Sequence, residues 1–235
     1  MEAFSISKVY VDDYGQVTVD INPLPSNYCS FDCVFCPLGR TAIQTDEAYS
    51  FVETEDFMEK LDGVLKSHHL DWVFINPNGE SLANAQLIEI IKRIKSYGVK
   101  VRLLSNGYLF NKKAYRASLN LCDEVIGELA VTNEGHFQKI QRPLKGYSYK
   151  DYVENIACFK QQYHGKFLLD ITVLKDYSDS VESVESFKAI IERIRPNGLI
   201  VQTPTVEKFK RTFGVEKEKL DEIRRVLDQV ISSMD

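Results

Sequence analysis

The sequence predicts an α/β fold, an incomplete (β/α)6 barrel in which outer helices cover a parallel sheet. Short apolar segments alternate six times with amphipathic segments along the chain, and such alternation is typical of parallel sheets with right-handed crossovers. The apolar segments are hydrophobic at nearly every position, as strands are when helices cover the sheet. A complete barrel has eight units, so six units favour a barrel that is open on one side. An open doubly wound sheet is the alternative.

The elements follow one another in a regular order after an N-terminal extension over about residues 1–16. The apolar segments that we interpret as strands lie at 17–21, 72–75, 99–104, 125–131, 167–174 and 199–201. Apolar residues at helical spacing predict helices near 54–66, from Asn84 to Gly98, near 111–120, 133–140 and 149–163, across Val184–Ile194, and near 216–233. In a barrel or an open sheet, the chemistry is expected at the carboxyl ends of the strands.

Composition and charge are those of an ordinary globular protein, which we expect to form a single domain over residues 1–235. Hydrophobic residues make up 44% and charged residues 27% of the chain. The net charge of −5 argues against a broad nucleic-acid surface without excluding a local basic patch. The five cysteines do not suggest a secreted disulfide framework, and neither a signal peptide nor a membrane helix is recognisable. A cytoplasmic location without a membrane partner is therefore expected.

The strongest functional signal is a group of three cysteines spaced C-x3-C-x2-C, namely Cys29, Cys33 and Cys36, in a polar loop over 27–41. Neighbouring thiolates bind soft metals or iron–sulfur clusters. Three thiolates on a four-iron cluster leave one iron without a protein ligand, where a small molecule can bind. A structural zinc site would need a fourth protein ligand, and the next His or Cys is the distant His68.

This loop, with Phe35 just before the last cysteine, resembles the signature loop of radical S-adenosylmethionine (SAM) enzymes. Further landmarks occur in the order of that family. Asn78-Gly79-Glu80 resembles the segment that meets the amino group of SAM, and Ser105-Asn106-Gly107 resembles the turn near its ribose. Gln202-Thr203-Pro204, at the end of the sixth strand, is another feature that recurs in the family. The resemblance implies that Phe35, Gly79, Glu80, Ser105, Asn106 and Gln202 contact SAM.

A narrower resemblance, to small iron–sulfur oxidoreductases related to wyosine synthases, rests on the loop up to Thr41 and on Gln141-Arg142-Pro143. True wyosine synthases have further cysteines and a larger substrate region, which puts tRNA modification in doubt. The resemblance implies one [4Fe–4S] cluster, SAM, and an electron donor of the flavodoxin or ferredoxin type. The substrate would be a small molecule, or a peptide or protein that completes the open wall of the barrel.

Several charged residues are candidates for the cavity. Glu128 interrupts the fourth apolar segment and Asp170 the fifth; because a buried unpaired carboxylate is unfavourable, each either faces a polar lumen or is bonded structurally. We assign Glu128 to SAM and Asp170 to the substrate. Arg142 would neutralise the carboxylate of SAM or a substrate anion, or is simply an exposed turn residue. Lys175 and His136, near the ends of the fifth and fourth units, are weaker substrate candidates.

Two other functions remain open at this point. An activase that makes a glycyl radical on a partner protein resembles this chain in size and in cysteine spacing. A zinc-binding interaction domain would not be an enzyme at all. Colour separates the last alternative from the others, because iron–sulfur proteins are brown and zinc–thiolate proteins are colourless.

Overall fold

The computed structural model describes residues 2–234, and its centre is a sheet whose six parallel strands follow one another in chain order. The strands are β1 (Val17–Asn22), β2 (Trp72–Ile75), β3 (Lys100–Ser105), β4 (Glu124–Leu129), β5 (Lys166–Thr172) and β6 (Gly198–Gln202). Within the described residues, β1 and β6 do not pair with each other. The sheet is therefore an open, partial barrel, which confirms the predicted fold class.

The segment ahead of β1 extends the sheet by two short antiparallel strands, Ser5–Ile6 and Tyr10–Val11. Both pair with β1 along the same edge, Ile6 opposite Ile21 and Val11 opposite Val17. A paired edge presents fewer free backbone groups to solvent. The β1 side of the open barrel is thus covered by the protein itself.

Helices cover the outer face of the sheet. They are α1 (Glu53–Ser67), α2 (Leu87–Ser96), α3 (Arg116–Leu119), α4 (Glu134–His136), α5 (Tyr149–Gln162), α6 (Val181–Ile194), α7 (Glu207–Phe213) and α8 (Lys217–Ser232). Two of them begin at serine N-caps: the Ser148 side chain accepts from the backbone N–H of Asp151, and Ser180 from that of Ser183. None of the described helices is long and apolar enough to cross a lipid bilayer.

The core lies between the helices and the sheet and includes most of the apolar positions that the sequence pattern predicted. In α2 the buried face is Leu87, Ile90, Ile91 and Ile94. On the sheet side, Val73, Val101 and Val125 are completely buried. Burying side chains of this size is worth about 1.5–3 kcal/mol each, so these contacts hold the strands in the order that positions the site.

Three predicted elements differ from the observed ones, and one observed helix was not predicted. The helix expected from Asn84 begins only at Leu87, because the Asn84 side chain accepts from Gln86 N–H and donates to a distant carbonyl. The helix expected near 111–120 is a short 3₁₀ turn followed by α3. The turn expected near 133–140 is α4 followed by a π-helical turn at Phe137–Gln141. Finally, α7 was not predicted at all.

Candidate active site

A cavity opens at the carboxyl ends of the parallel strands, on the side where polar residues follow the apolar segments. The space it encloses is about 890 Å³, open solvent included. The cysteine loop and the ends of β2, β3, β4 and β5 line it, and the lining residues include all three clustered cysteines. The signature loop and the strand ends therefore form one site.

The three cysteines are half-buried in the wall of this cavity, and Cys29 has hydrogen-bond donors nearby. Phe31 N–H donates to Cys29 Sγ at 3.4 Å, and Asn106 Nδ2 donates to the same sulfur at 3.6 Å. Burial raises the pKa of Cys29, Cys33 and Cys36, and the mutual charge of the thiolates raises the pKa of Cys33 further. Three thiolates are thus stable here only beside positive charge, which bound metal supplies.

This donor set fits a [4Fe–4S] cluster. Within residues 2–234, no three His, Cys, Asp or Glu side chains are gathered around a single metal-ion position. A four-iron cube needs no such convergence, because each of its ligands binds a different corner. Three thiols facing one cavity, with N–H groups directed at one sulfur, are ligands and neighbours of the kind that iron–sulfur clusters use.

Gly79 is required by a close contact between the cysteine loop and the end of β2. Its φ is +145°, and a Cβ at this position would lie 2.3 Å from the carbonyl oxygen of Tyr28. The next residue, Glu80, donates its backbone N–H to the same carbonyl at 2.7 Å. Gly79 lines the cavity, and its bridge to Tyr28 also positions the short strand Tyr28–Cys29, which carries the first cysteine.

Glu80 lies behind the cavity wall, with only 1% of its surface exposed. Its carboxylate accepts from the backbone N–H of Asn106 at 2.9 Å and from that of Leu82 at 3.2 Å. Burial raises its pKa, while these bonds and one from Ser105 oppose the rise. Ser105 and Asn106 both line the cavity, so Glu80 fixes the turn that presents them.

The cysteine loop is held on its other side by the segment around Gln141-Arg142. Asp32 N–H donates to the carbonyls of Gln141 and Arg142, both at 3.1 Å, and Val34 N–H donates to Ile140 at 2.9 Å. The Arg142 side chain is half exposed, lies 3.9 Å from the Asp32 carboxylate, and is outside the cavity lining. The structure therefore places Arg142 beside Asp32, where it supports the loop.

Two carboxylates on neighbouring strands lie at the inner side of the barrel. Glu128 lines the cavity, and its partner in the β4–β5 register is Asp170. Gln202 Nε2 donates to both Asp170 oxygens, at 2.9 and 2.7 Å. Burial, and then the charges of Asp170 and Glu80, raise the pKa of Glu128 to about 8. Burial raises the pKa of Asp170 to about 6, and the bond from Gln202 opposes this.

A side section of the cavity extends along β6 and encloses about 540 Å³, open solvent included. It shares Phe35, Pro37, Glu128 and Thr172 with the first section. The remaining lining residues come from the end of β6 and the start of α7, and Phe209 closes the outer side. Glu128 thus stands where the two sections meet.

Two of the weaker candidates lie outside both sections. Lys175 is exposed just after β5, where its backbone N–H donates to Phe213. His136 ends α4, and its Nδ1 lies 2.9 Å from the Tyr177 carbonyl oxygen. Neither side chain lines the cavity.

The structure also brings into the cavity several residues that the sequence did not single out. Apart from their position at or just after the end of a strand, or inside the cysteine loop, nothing in their identity marked them. They are Asn27, Asn76, Leu104 and Thr172.

An open α/β barrel with a three-cysteine cavity at the carboxyl ends of its strands defines a class of enzymes that bind an iron–sulfur cluster. Residues 24–187 match the sequence profile of the Radical SAM superfamily. The matched region is more than half of the chain, so the protein belongs to this superfamily and is an enzyme of the radical SAM type.

Curated relatives are similar over most of this chain. A protein named GTPase Obg from Brachyspira hyodysenteriae is 26% identical over 208 residues, which are 86% of this chain but only 31% of that protein. A UPF0026 protein from Methanocaldococcus jannaschii is 22% identical over 218 residues, or 91% of this chain and 68% of that protein. The chain therefore spans about a third of the first relative's length and about two thirds of the second's.

Solved structures show the same fold at low sequence identity. TYW1 with a lysine-pyruvate adduct bound superimposes with a TM-score of 0.68 at 17% identity, covering 90% of this chain and 73% of that one. Streptococcus suis SuiB bound to the precursor peptide SuiA gives a TM-score of 0.68 at 14% identity, covering 89% of this chain and 45% of that one.

Proposed function

We propose that this protein binds one [4Fe–4S] cluster through Cys29, Cys33 and Cys36 and, with SAM, initiates hydrogen abstraction from a substrate in the barrel. The observation that carries the proposal is the placement of all three thiols in one cavity with the polar turn Ser105-Asn106. When bound and reduced, the cluster supplies the electron that cleaves SAM to a 5′-deoxyadenosyl radical.

The chain's own residues orient the two cofactors. Asn106 donates to a cluster ligand through its side chain, and with Ser105 it offers polar groups to SAM at the end of β3. Gly79 brings the backbone of the β2 end to the cavity wall. Phe35 is an apolar wall residue of both cavity sections, where it would cover the bound nucleoside and exclude water.

Three further residues act indirectly in this proposal, by positioning other groups of the site. Glu80 fixes the Asn106 turn, Arg142 supports the cysteine loop through Asp32, and Gln202 orients Asp170. They were expected to contact SAM. Their hydrogen bonds favour positioning roles, which preorganise a site without touching the reacting atoms.

The partners follow from the same chemistry. The cluster needs an external electron, for which a flavodoxin or ferredoxin in the cytoplasm is suitable, and the open β6 side leaves room for a small molecule or a peptide. Among the structural neighbours, SuiB was solved with a peptide and TYW1 with a small adduct. We propose that the region over residues 2–234 acts as one domain in this reaction.

The test is anaerobic reconstitution, reduction with dithionite and measurement of 5′-deoxyadenosine formed from SAM. Wild type is expected to form it, and Cys33→Ala is expected to form none. Cys158→Ala is the matched control, because Cys158 lies on α5 outside the cavity and interacts with Glu154; its product formation should equal that of wild type. Continued product formation by Cys33→Ala would refute the assignment of that ligand.

A further inference from the structure

The acidic side chains in and beside the two cavity sections are not balanced by basic ones. Glu128 lines both sections, and Asp170 lies beside it in the neighbouring strand. Among the described residues that line either section there is no Lys, Arg or His. An ionised carboxylate in such a cavity has no protein cation to balance it, and a buried uncompensated charge is strongly unfavourable.

Hydrogen-bond acceptors are also in excess. The Glu128 backbone carbonyl accepts from the Tyr152 hydroxyl, but the charges that act on its carboxylate are those of Asp170 and Glu80, both negative. Gln141, which is 3% exposed, also lines the cavity, and its Oε1 has no hydrogen-bond partner within the described structure. A buried acceptor without a donor is rare in native proteins. The Glu128 carboxylate and the Gln141 side-chain carbonyl would be satisfied by a ligand that brings N–H donors and positive charge.

The walls of the side section define the rest of the ligand. Five apolar residues, Phe35, Pro37, Pro204, Val206 and Phe209, line it together with the polar residues Thr172, Gln202, Thr203 and Thr205. A ligand that reaches Glu128 by this route therefore meets apolar side chains as well as the carboxylate. An aliphatic stem can pack on the apolar side chains while its cationic head binds the carboxylate.

We propose that the substrate of this enzyme is a protonated amine on an aliphatic stem, whose ammonium group Glu128 binds at the junction of the two cavity sections. Asp170, which accepts two hydrogen bonds from Gln202, contributes the second negative charge. This inference deepens the proposed function and rests on it, since it names the substrate class of the same site. The amine is either a free small molecule or a lysine side chain in a peptide, because both carry the same head and stem.

The experiment measures binding of matched probes to the reconstituted, SAM-loaded protein by anaerobic isothermal titration calorimetry. The probes are hexylamine, 1-hexanol and hexanoate, which share a stem and differ in charge, and a blocked lysine amide that represents a peptide residue. Wild type should bind one or both amines at least about ten-fold more tightly than hexanol, because hexanol cannot form the charge-assisted hydrogen bond that an ammonium group forms with Glu128. Hexanoate should bind most weakly. A blocked lysine that binds more tightly than hexylamine would identify the source as a peptide, and the reverse order a small molecule.

Two variants test the residue. Glu128→Gln should remove the preference for amine over alcohol while leaving hexanol affinity unchanged. Glu207→Gln is the matched control, since Glu207 is exposed, pairs with Arg211 and lines neither section; its preference should equal that of wild type. Equal affinity for the three hexyl probes, tighter binding of hexanoate, or a preference that survives in Glu128→Gln would overturn the proposal. If Glu128→Gln does not fold, the affinities of wild type for the three hexyl probes still test whether the cavity selects a cationic head.

Two parallel measurements keep this inference separate from the proposed function. If Glu128→Gln loses affinity for SAM itself to the same degree, the carboxylate belongs to the SAM site and the inference is wrong. If wild type selects amines but forms no 5′-deoxyadenosine on reduction, the proposed reaction fails while the charge selectivity of the cavity stands.

Discussion

Replacing Gly79 by Ala tests how the cysteine loop is seated. At φ +145°, the new Cβ would lie 2.3 Å from the carbonyl oxygen and 2.9 Å from the nitrogen of Tyr28. Both are backbone atoms, so no side-chain rotation relieves the overlap. A side chain in this backbone region costs about 1–3 kcal/mol, and overpacking adds about 1–3 kcal/mol. Gly79→Ala should therefore lower the unfolding free energy by about 2–6 kcal/mol.

The assay is urea denaturation of the cluster-free protein, followed by iron analysis after anaerobic reconstitution. Because Tyr28 precedes Cys29, the relief of the overlap should displace a cluster ligand, and Gly79→Ala should retain less iron than wild type. Gly63→Ala is the control: Gly63 is exposed in α1, no atom lies within 4 Å of its added Cβ, and alanine should stabilise the helix by about 0.5–1 kcal/mol. Wild-type stability and iron content in Gly79→Ala would refute the reasoning.

Three further predictions concern buried carboxylates. Burial raises the folded-state pKa of Glu128 from 4.5 to about 8. Its contribution to the free energy of unfolding is therefore most favourable below the unfolded-state pKa and is lost as the pH rises toward the folded-state pKa, a decline of at most about 5 kcal/mol. Glu128→Gln should flatten this decline in denaturation curves recorded between these two pH values. Glu124, which is 1% exposed and paired with Arg102 and Lys166, lies at the opposite ends of the strands. Because Lys166 is largely exposed, Glu124→Gln should destabilise the fold by only about 1–3 kcal/mol, while iron bound per folded molecule, measured after reconstitution, stays at the wild-type level. Asp32 accepts from Thr41 N–H at 3.0 Å, so Asp32→Ala should cost about 1–3 kcal/mol and lower iron retention during gel filtration; unchanged retention would show that this bond does not hold the loop.

The sequence predicted the strand order well because each strand is a short apolar segment between polar turns. It did not predict α7, since only Phe213 of that helix is buried and the remaining residues show no apolar stripe. The strand boundaries near the site also differ from the prediction. β4 and β5 each end two residues earlier than the apolar segments that predicted them, where the chain turns to form the cavity wall.

The cysteines could be recognised from their spacing alone, whereas the roles of other residues depend on tertiary contacts. Asp32 and Arg142 are distant in sequence, and only the fold brings them together. Likewise, the need for glycine at position 79 arises from Tyr28, which no local pattern reveals. Glu128 was selected as a candidate site residue because a carboxylate within an apolar strand conflicts with the local sequence pattern. Such conflicts are expected at functional sites.

Elemental analysis of protein purified and reconstituted without oxygen decides whether Cys29, Cys33 and Cys36 bind a four-iron cluster. We expect about four irons and four acid-labile sulfides per chain, a brown colour, and loss of both elements in Cys33→Ala but not in Cys158→Ala. Stoichiometric zinc in a colourless protein without sulfide would contradict this expectation.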